Sequence, residues 1–111
     1  MLPMRGMKQQ NYAKTVMVNN STDNPIEVTV VFITTESEVT ERTHTILRDQ
    51  NYKFDEVLHD RGCYGSVVPC KFVRVNQEGK EEFIHEIIGV KGIVPCVNLT
   101  IIEEENELTV L

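Results

Sequence analysis

The chain has 111 residues, 41% apolar and 25% charged, the size and balance of one soluble domain with a modest core. No apolar run approaches the roughly 20 residues that a membrane helix needs. The formal charge of −6 is uneven: residues 1–22 hold Arg5, Lys8 and Lys14 and no acid, while the remainder sets 8 bases against 17 acids. So acidic a body argues against nucleic-acid binding, which rests on Lys and Arg neutralising phosphates.

The start, Met-Leu-Pro-Met-Arg-Gly-Met-Lys, has no apolar stretch of signal-peptide length, and three cysteines leave one unpaired in any intrachain scheme. Both features point to a cytoplasmic protein, with secretion as the alternative if a leader has been removed. Residues 1–13 read as a disordered basic tail and 14–111 as a single β-sandwich domain. Glycosylation-type tripeptides at Asn19-Asn20-Ser21-Thr22 and Asn98-Leu99-Thr100 pull towards secretion, but such tripeptides recur by chance and Asn98 falls in a predicted strand.

After Thr15-Val16-Met17-Val18 comes a cluster of turn formers ending at Pro25, and then a run from Ile26 to Ile33. There Ile26, Val28, Val30 and Phe32 share one parity and Glu27 and Thr29 the other, the alternation of a half-buried strand. Residues Glu38 to Leu47 are rich in threonine and charge on both faces, which predicts an edge strand guarded against unwanted pairing. Tyr52 and Phe54 alternate with Lys53 and Asp55, predicting a short strand that breaks into a loop or one helical turn near Glu56-Val57-Leu58. A further strand is expected over Val67 to Val75, followed by a hairpin connection at Asn76-Gln77-Glu78-Gly79.

Residues 80–88 carry Phe83, Ile84, Ile87 and Ile88 on one helical stripe, with Gly89 placed to end a helix. The hairpin-like turn before them and their β-forming composition favour a strand. The last predicted pair is Val94 to Ile102 and Leu108 to Leu111, joined by Glu103-Glu104-Glu105-Asn106. Seven or eight short strands predict an all-β fold, an antiparallel β-sandwich of immunoglobulin-like general shape. A partly open β-barrel, or an α+β fold with one helix near 80–88, are the alternatives.

Val67-Val68-Pro69-Cys70-Lys71-Phe72-Val73-Arg74-Val75 has a near copy in Ile93-Val94-Pro95-Cys96-Val97-Asn98-Leu99-Thr100-Ile101. Proline cannot donate to a ladder, so each Pro belongs at a strand start or on an edge. Val73 and Val75 then match Leu99 and Ile101 as core-facing residues, which puts Cys70 and Cys96 on the other parity or at an irregular strand entrance. Zinc held by His59, Cys63, Cys70 and Cys96, or by His85 in place of His59, is one reading of these thiols. Its intervals of three and six intervening residues suit a close knuckle poorly. A disulfide, Cys63 to Cys70 or between the two Pro-Cys positions, is the second reading, and small semi-buried thiols at strand starts are the third.

No Gly-x-Ser-x-Gly elbow, phosphate-binding glycine loop or calcium loop is present. His44 reads as a solvated edge residue and His85 as half of an exposed cross-strand pair. His59 beside Asp60 and near Cys63 is the only arrangement resembling a thiol–imidazole pair. Asp49, Asp55, Glu56, Asp60 and the run Glu103-Glu104-Glu105 read as solvated loop acids. The terminal Thr109-Val110-Leu111 has the form of a strand-adding peptide, unless it is itself the last strand.

The expectation is therefore a non-catalytic recognition module without cofactors, binding another protein through an edge strand or end loops. Its contact residues are Glu38, Thr40, Arg42 and His44 of the edge, and Asp60, Arg61 and Tyr64 of the loop. Homodimerisation through an edge is also expected to be open to it. A small metal- or thiol-dependent protein using His59, Cys63, Cys70 and Cys96 is the first alternative, and a membrane-surface or glycan binder the second.

Overall fold

The computed structural model describes residues 11–34, 36–60 and 65–111, with backbone alone at 59, 60, 65 and 66. These residues form strands and no helix: β1 (Tyr12–Asn20), β2 (Ile26–Ile33), β3 (Val39–Ile46), β4 (Asn51–Phe54), β5 (Val57–Asp60), β6 (Gly65–Val68), β7 (Cys70–Asn76), β8 (Phe83–Glu86), β9 (Ile93–Glu104) and β10 (Glu107–Val110). Eight of them make one mixed sheet ordered β10-β9-β1-β7-β2-β3, with β4 beside β1 and β8 beside β7, while β5 and β6 form a separate hairpin.

Strand β1 organises the sheet. One of its edges pairs with β9 along nearly its whole length. The other pairs with β7 at Ala13↔Cys70, then with β4 from Val16↔Phe54 to Asn19↔Asn51. The sheet therefore divides into β10-β9-β1-β4 and β3-β2-β7-β8, joined at that one corner. Val16, Val18, Phe54, Leu99, Ile101 and Leu108 from the first half meet Val28, Val30, Phe32, Ile46, Val73 and Val75 from the second in a single core. The result is a β-sandwich, barrel-like where β1 passes between the halves.

The expectation of wholly antiparallel pairing needs one correction: β1 and β9 run parallel. A parallel pair needs a connection of about a dozen residues or more, and nearly the whole domain intervenes here. The strand expected over 67–75 is interrupted at Pro69, with β6 turning back onto β5 and β7 starting at Cys70. The strand at Tyr52 and Phe54 does break into a short loop, at Asp55-Glu56, but Val57 and Leu58 begin β5 instead of continuing the loop or forming a helical turn. Strand β8 answers the ambiguity at 80–88: Phe83 and His85 are half-buried opposite Val75 and Val73, while Ile84 and Glu86 are exposed, a period of two. Tyr12 and Ala13, assigned to the tail from composition, lie in β1.

Burial on β2 is less one-sided than its alternation implied, because Thr29 and Val31 are also buried. Lying between β3 and β7, β2 has an outer face spanned by an ion pair between Arg74 of β7 and Glu41 of β3. The hydroxyls of Thr29 and Thr43 add a cross-strand hydrogen bond at 2.9 Å. On β7, Val31↔Phe72 is followed by Phe32↔Cys70, so Lys71 is an extra, bulged residue. That bulge shifts parity by one and carries Cys70, nominally on the wrong face, into the core.

The turn formers after β1 build a buried polar knot. Asn20 Nδ2 donates to the carbonyls of Asn24 and Ile46, both at 2.9 Å, and Oδ1 accepts from the Thr22 amide at 2.9 Å and hydroxyl at 2.6 Å. Gln77 Nε2 donates to Thr22 Oγ1 at 2.9 Å. The ends of β1, β3 and β7 are thereby tied together, and the side-chain amide of Asn20, 1% exposed, is fully hydrogen-bonded. At the other hairpin, Glu105 and Asn106 both adopt positive φ, 51° and 67°, the two-residue turn whose twist suits adjoining strands.

Asn20→Ala leaves several buried groups without partners and should lower unfolding free energy by about 2–3 kcal/mol in urea titrations. Glu105→Gly relieves a left-handed residue and should raise it by up to about 1 kcal/mol.

Candidate functional site

The sandwich opens sideways between β3 and β4. Among the described residues β3 forms a ladder only with β2, and β4 only with β1, so two edges from opposite halves lie side by side without a ladder between them. The Thr34 N–H donates to the Glu38 carbonyl at 2.9 Å, which sets the alternation of the β2–β3 ladder. Thr40, Arg42 and His44 turn their backbone polar groups towards β2. Val39, Glu41, Thr43 and Thr45 turn theirs to the open edge.

The side chains alternate as well. Thr40, Arg42 and His44 stand opposite Phe32, Val30 and Val28, on the core-facing side of β3. They remain largely exposed because the opposing half ends at β4 and does not cover them. From β4, Tyr52 and Phe54 point inwards beside Val18 and Val16. The His44 ring stacks on Tyr52 with centroids 3.7 Å apart and planes 12° from parallel, and Tyr52 meets Phe54 edge-on at 4.9 Å. Arg42, Tyr52, Phe54, Asp55 and Glu56 line the resulting cleft. Among the described residues Arg42 makes no ion pair, and Tyr52 is 39% exposed.

Of the expected contact residues, Arg42 lines this cleft, His44 stacks on its Tyr52, and Thr40 shares their face of β3. Glu38 lies just before β3, in a turn where its N–H donates to Thr34 Oγ1 at 3.0 Å. Asp60 is described by backbone alone, paired with Gly65 at the end of the β5–β6 hairpin; Arg61 and Tyr64 lie outside the described residues. Sequence reasoning missed Tyr52, Phe54, Asp55 and Glu56 as parts of the site. Their alternation was readable, but the facing of β4 towards β3 was not.

The two Pro-Cys positions flank β1, Cys70 opposite Ala13 and Cys96 opposite Thr15, and both thiols are free. With β1 between them their backbones are about two strand spacings, roughly 10 Å, apart, beyond disulfide reach. That corrects the expectation that these positions could be bridged. Of the proposed zinc set, Cys63 and the side chain of His59 lie outside the described residues; among those described, no three of His, Cys, Asp and Glu converge. The terminal Thr109-Val110-Leu111 is engaged as the last strand, β10 pairing with β9 and the Leu111 N–H donating to the Thr100 carbonyl at 2.9 Å.

Burial, reinforced by the neighbouring Cys96, pushes the Cys70 thiol up from 9.0 to about 12. Its proton is thus held in the folded chain at pH values where the unfolded chain has lost it. The associated stability is complete below pH 9 and should be lost as pH rises towards 12. Urea midpoints measured across that range should fall with pH, and the fall should be shallower in Cys70→Ala.

No family model matches the sequence, and no curated protein matches it. Among solved structures the chain is similar to the NMR structure of a protein from Eubacterium rectale, at 16% identity and a TM-score of 0.51, over 96% of this chain and 91% of that one. At that identity the likeness is one of fold alone.

Proposed function

We propose that this chain is a non-catalytic recognition module that takes an extended segment of another protein along the open edge of β3. The observation carrying this reading is the juxtaposition of a free strand edge with a side-chain cleft. Val39, Glu41, Thr43 and Thr45 offer backbone donors and acceptors for main-chain pairing. The cleft of Arg42, Tyr52 and Phe54 sits where alternate side chains of an added strand would project. Main-chain bonds then supply affinity and the cleft supplies selectivity, the division of labour in strand addition. The reading takes the fold as immunoglobulin-like in general shape, with edges and end loops available for contact. A cytoplasmic setting suits the free Cys70 and Cys96 thiols.

Glu41 and Arg42 on β3 also discourage self-pairing there. A two-fold axis at Arg42 would oppose that cation to itself, and one at Glu41 would do the same for the carboxylate. The partner is accordingly a different chain, with an acidic or aromatic side chain at the position facing Arg42 and Tyr52.

The test is selection from a displayed random-peptide library on the immobilised full-length chain. Thr43→Pro removes an outward N–H while leaving the β2 ladder intact, and Arg42→Glu reverses the charge at the cleft. Each should weaken the recovered peptides about tenfold or more. Recovery of peptides indifferent to both substitutions would overturn the reading.

A further inference from the structure

The two margins on the open side of the sandwich run level with each other in a definite order. Both start from the Asn20 end of β1, where Asn20 Nδ2 donates to the Ile46 carbonyl at 2.9 Å and Asn19 pairs with Asn51. From there β3 leads back through His44, Arg42 and Thr40, while β4 leads forward through Tyr52 and Phe54 to Asp55 and Glu56. The stack of His44 on Tyr52 fixes the level, and extended chain advances about 3.3 Å per residue on both sides. Arg42 therefore stands level with Phe54, and Thr40 with Glu56.

The walls of the cleft are thus graded along its length. At the end closed by residues 47–50 lie the rings of His44 and Tyr52, in the middle the Arg42 guanidinium, and at the mouth the carboxylates of Asp55 and Glu56. Among the described residues none of these three charged side chains is in an ion pair. Lys53, the other charge on β4, falls on the opposite parity to Tyr52 and Phe54 and so points away from the cleft. The cleft volume of about 240 Å³ is below the roughly 300–1,000 Å³ of small-molecule pockets, which suits side chains of a docked segment better than a free ligand.

An added strand presents its inward side chains to those levels in turn. Its direction is antiparallel, since an antiparallel ladder is slightly more stable per residue than a parallel one. On such a strand the residue paired with Thr43 points to the outer face. The residue before it points inward beside His44, the residue after it beside Arg42, and the next inward residue beside Thr40. We propose that the partner carries an aromatic, an acidic and a basic side chain at these inward positions, in that order from its N-terminal side. The aromatic ring extends the stack of His44, Tyr52 and Phe54, the acid meets Arg42, and the base meets Asp55 and Glu56. Exchanging acid and base would oppose like charges at both levels. No aromatic residue of this chain is followed at alternate positions by an acid and then a base, so the occupant is a foreign chain. This assignment rests on strand addition at β3 and adds to it the identity and direction of the strand.

Peptides selected from a displayed random library on the immobilised full-length chain should converge on that order. In titration calorimetry the consensus peptide should bind about three- to tenfold more weakly once its basic residue is replaced by glutamate. The Asp55→Lys, Glu56→Lys double variant should reverse that preference with an unchanged circular dichroism spectrum, both positions being exposed. Added salt should narrow the difference between the two peptides on the wild type. Peptides that lose binding to Thr43→Pro yet lack the base at the third inward position, or show the order reversed, overturn the assignment and leave strand addition at β3 standing. Peptides indifferent to Thr43→Pro and Arg42→Glu alike, or a library that yields none, overturn both. Should the double variant fail to fold, discrimination between the two peptides by the wild type, and its loss in salt, decides.

Discussion

The pairing of Ala13 with Cys70 is the contact on which the architecture turns. At that point β1, bonded to β9 along one edge, changes partner along the other from β7 to β4. A sheet that kept β7 beside β1 throughout would continue flat and leave both faces wet. Exchanging β7 for β4 lets the two halves fold over each other and enclose Val28, Val30, Phe32, Val73, Leu99 and Ile101. The small side chain of Ala13 and the buried thiol of Cys70 suit a place where backbones from both halves converge, and the bulge at Lys71 turns Cys70 inward to meet it.

The edges follow from that division. Two packed layers that close at one corner expose strands at their other margins, and each exposed margin needs a guard, a cover or a partner. The margin at β3 is guarded by charge but stands beside the aromatic ladder of His44, Tyr52 and Phe54. The margin at β9 has no guard, and β10 is too short to cover it. Charge therefore distinguishes the margin at β3 from the margin at β9. The knot around Asn20 holds the far end of β3 to β1 and β7, which keeps the cleft between β3 and β4 at a set width.

Strand β2 was legible because its alternation is strong and its neighbours leave one face apolar. Strand β3 was legible as an edge because Glu41, Arg42 and His44 sit among threonines, a composition that full burial would not tolerate. The hairpin at Glu105-Asn106 was legible as a connection, although the positive φ at Glu105 gives no signal in its residue type. The parallel pairing of β1 with β9 left no mark in either strand, since period-two alternation is the same for both directions of pairing. Parity misplaced Cys70, because a bulge of one residue is invisible to a pattern that counts by twos.

The chain's local chemistry determined where backbone runs extended, which residues prefer the interior and which strand would guard its edge with charge. Those are properties of a residue and its near neighbours, set by side-chain polarity and the two-residue repeat of extended backbone. Only the tertiary structure decided that β4 faces β3, that Arg42 and Tyr52 share a cleft, that β1 separates Cys70 from Cys96, and that β10 covers only the C-terminal part of β9. Each of those depends on which strands become neighbours, and neighbours are chosen by how two whole layers close around one core.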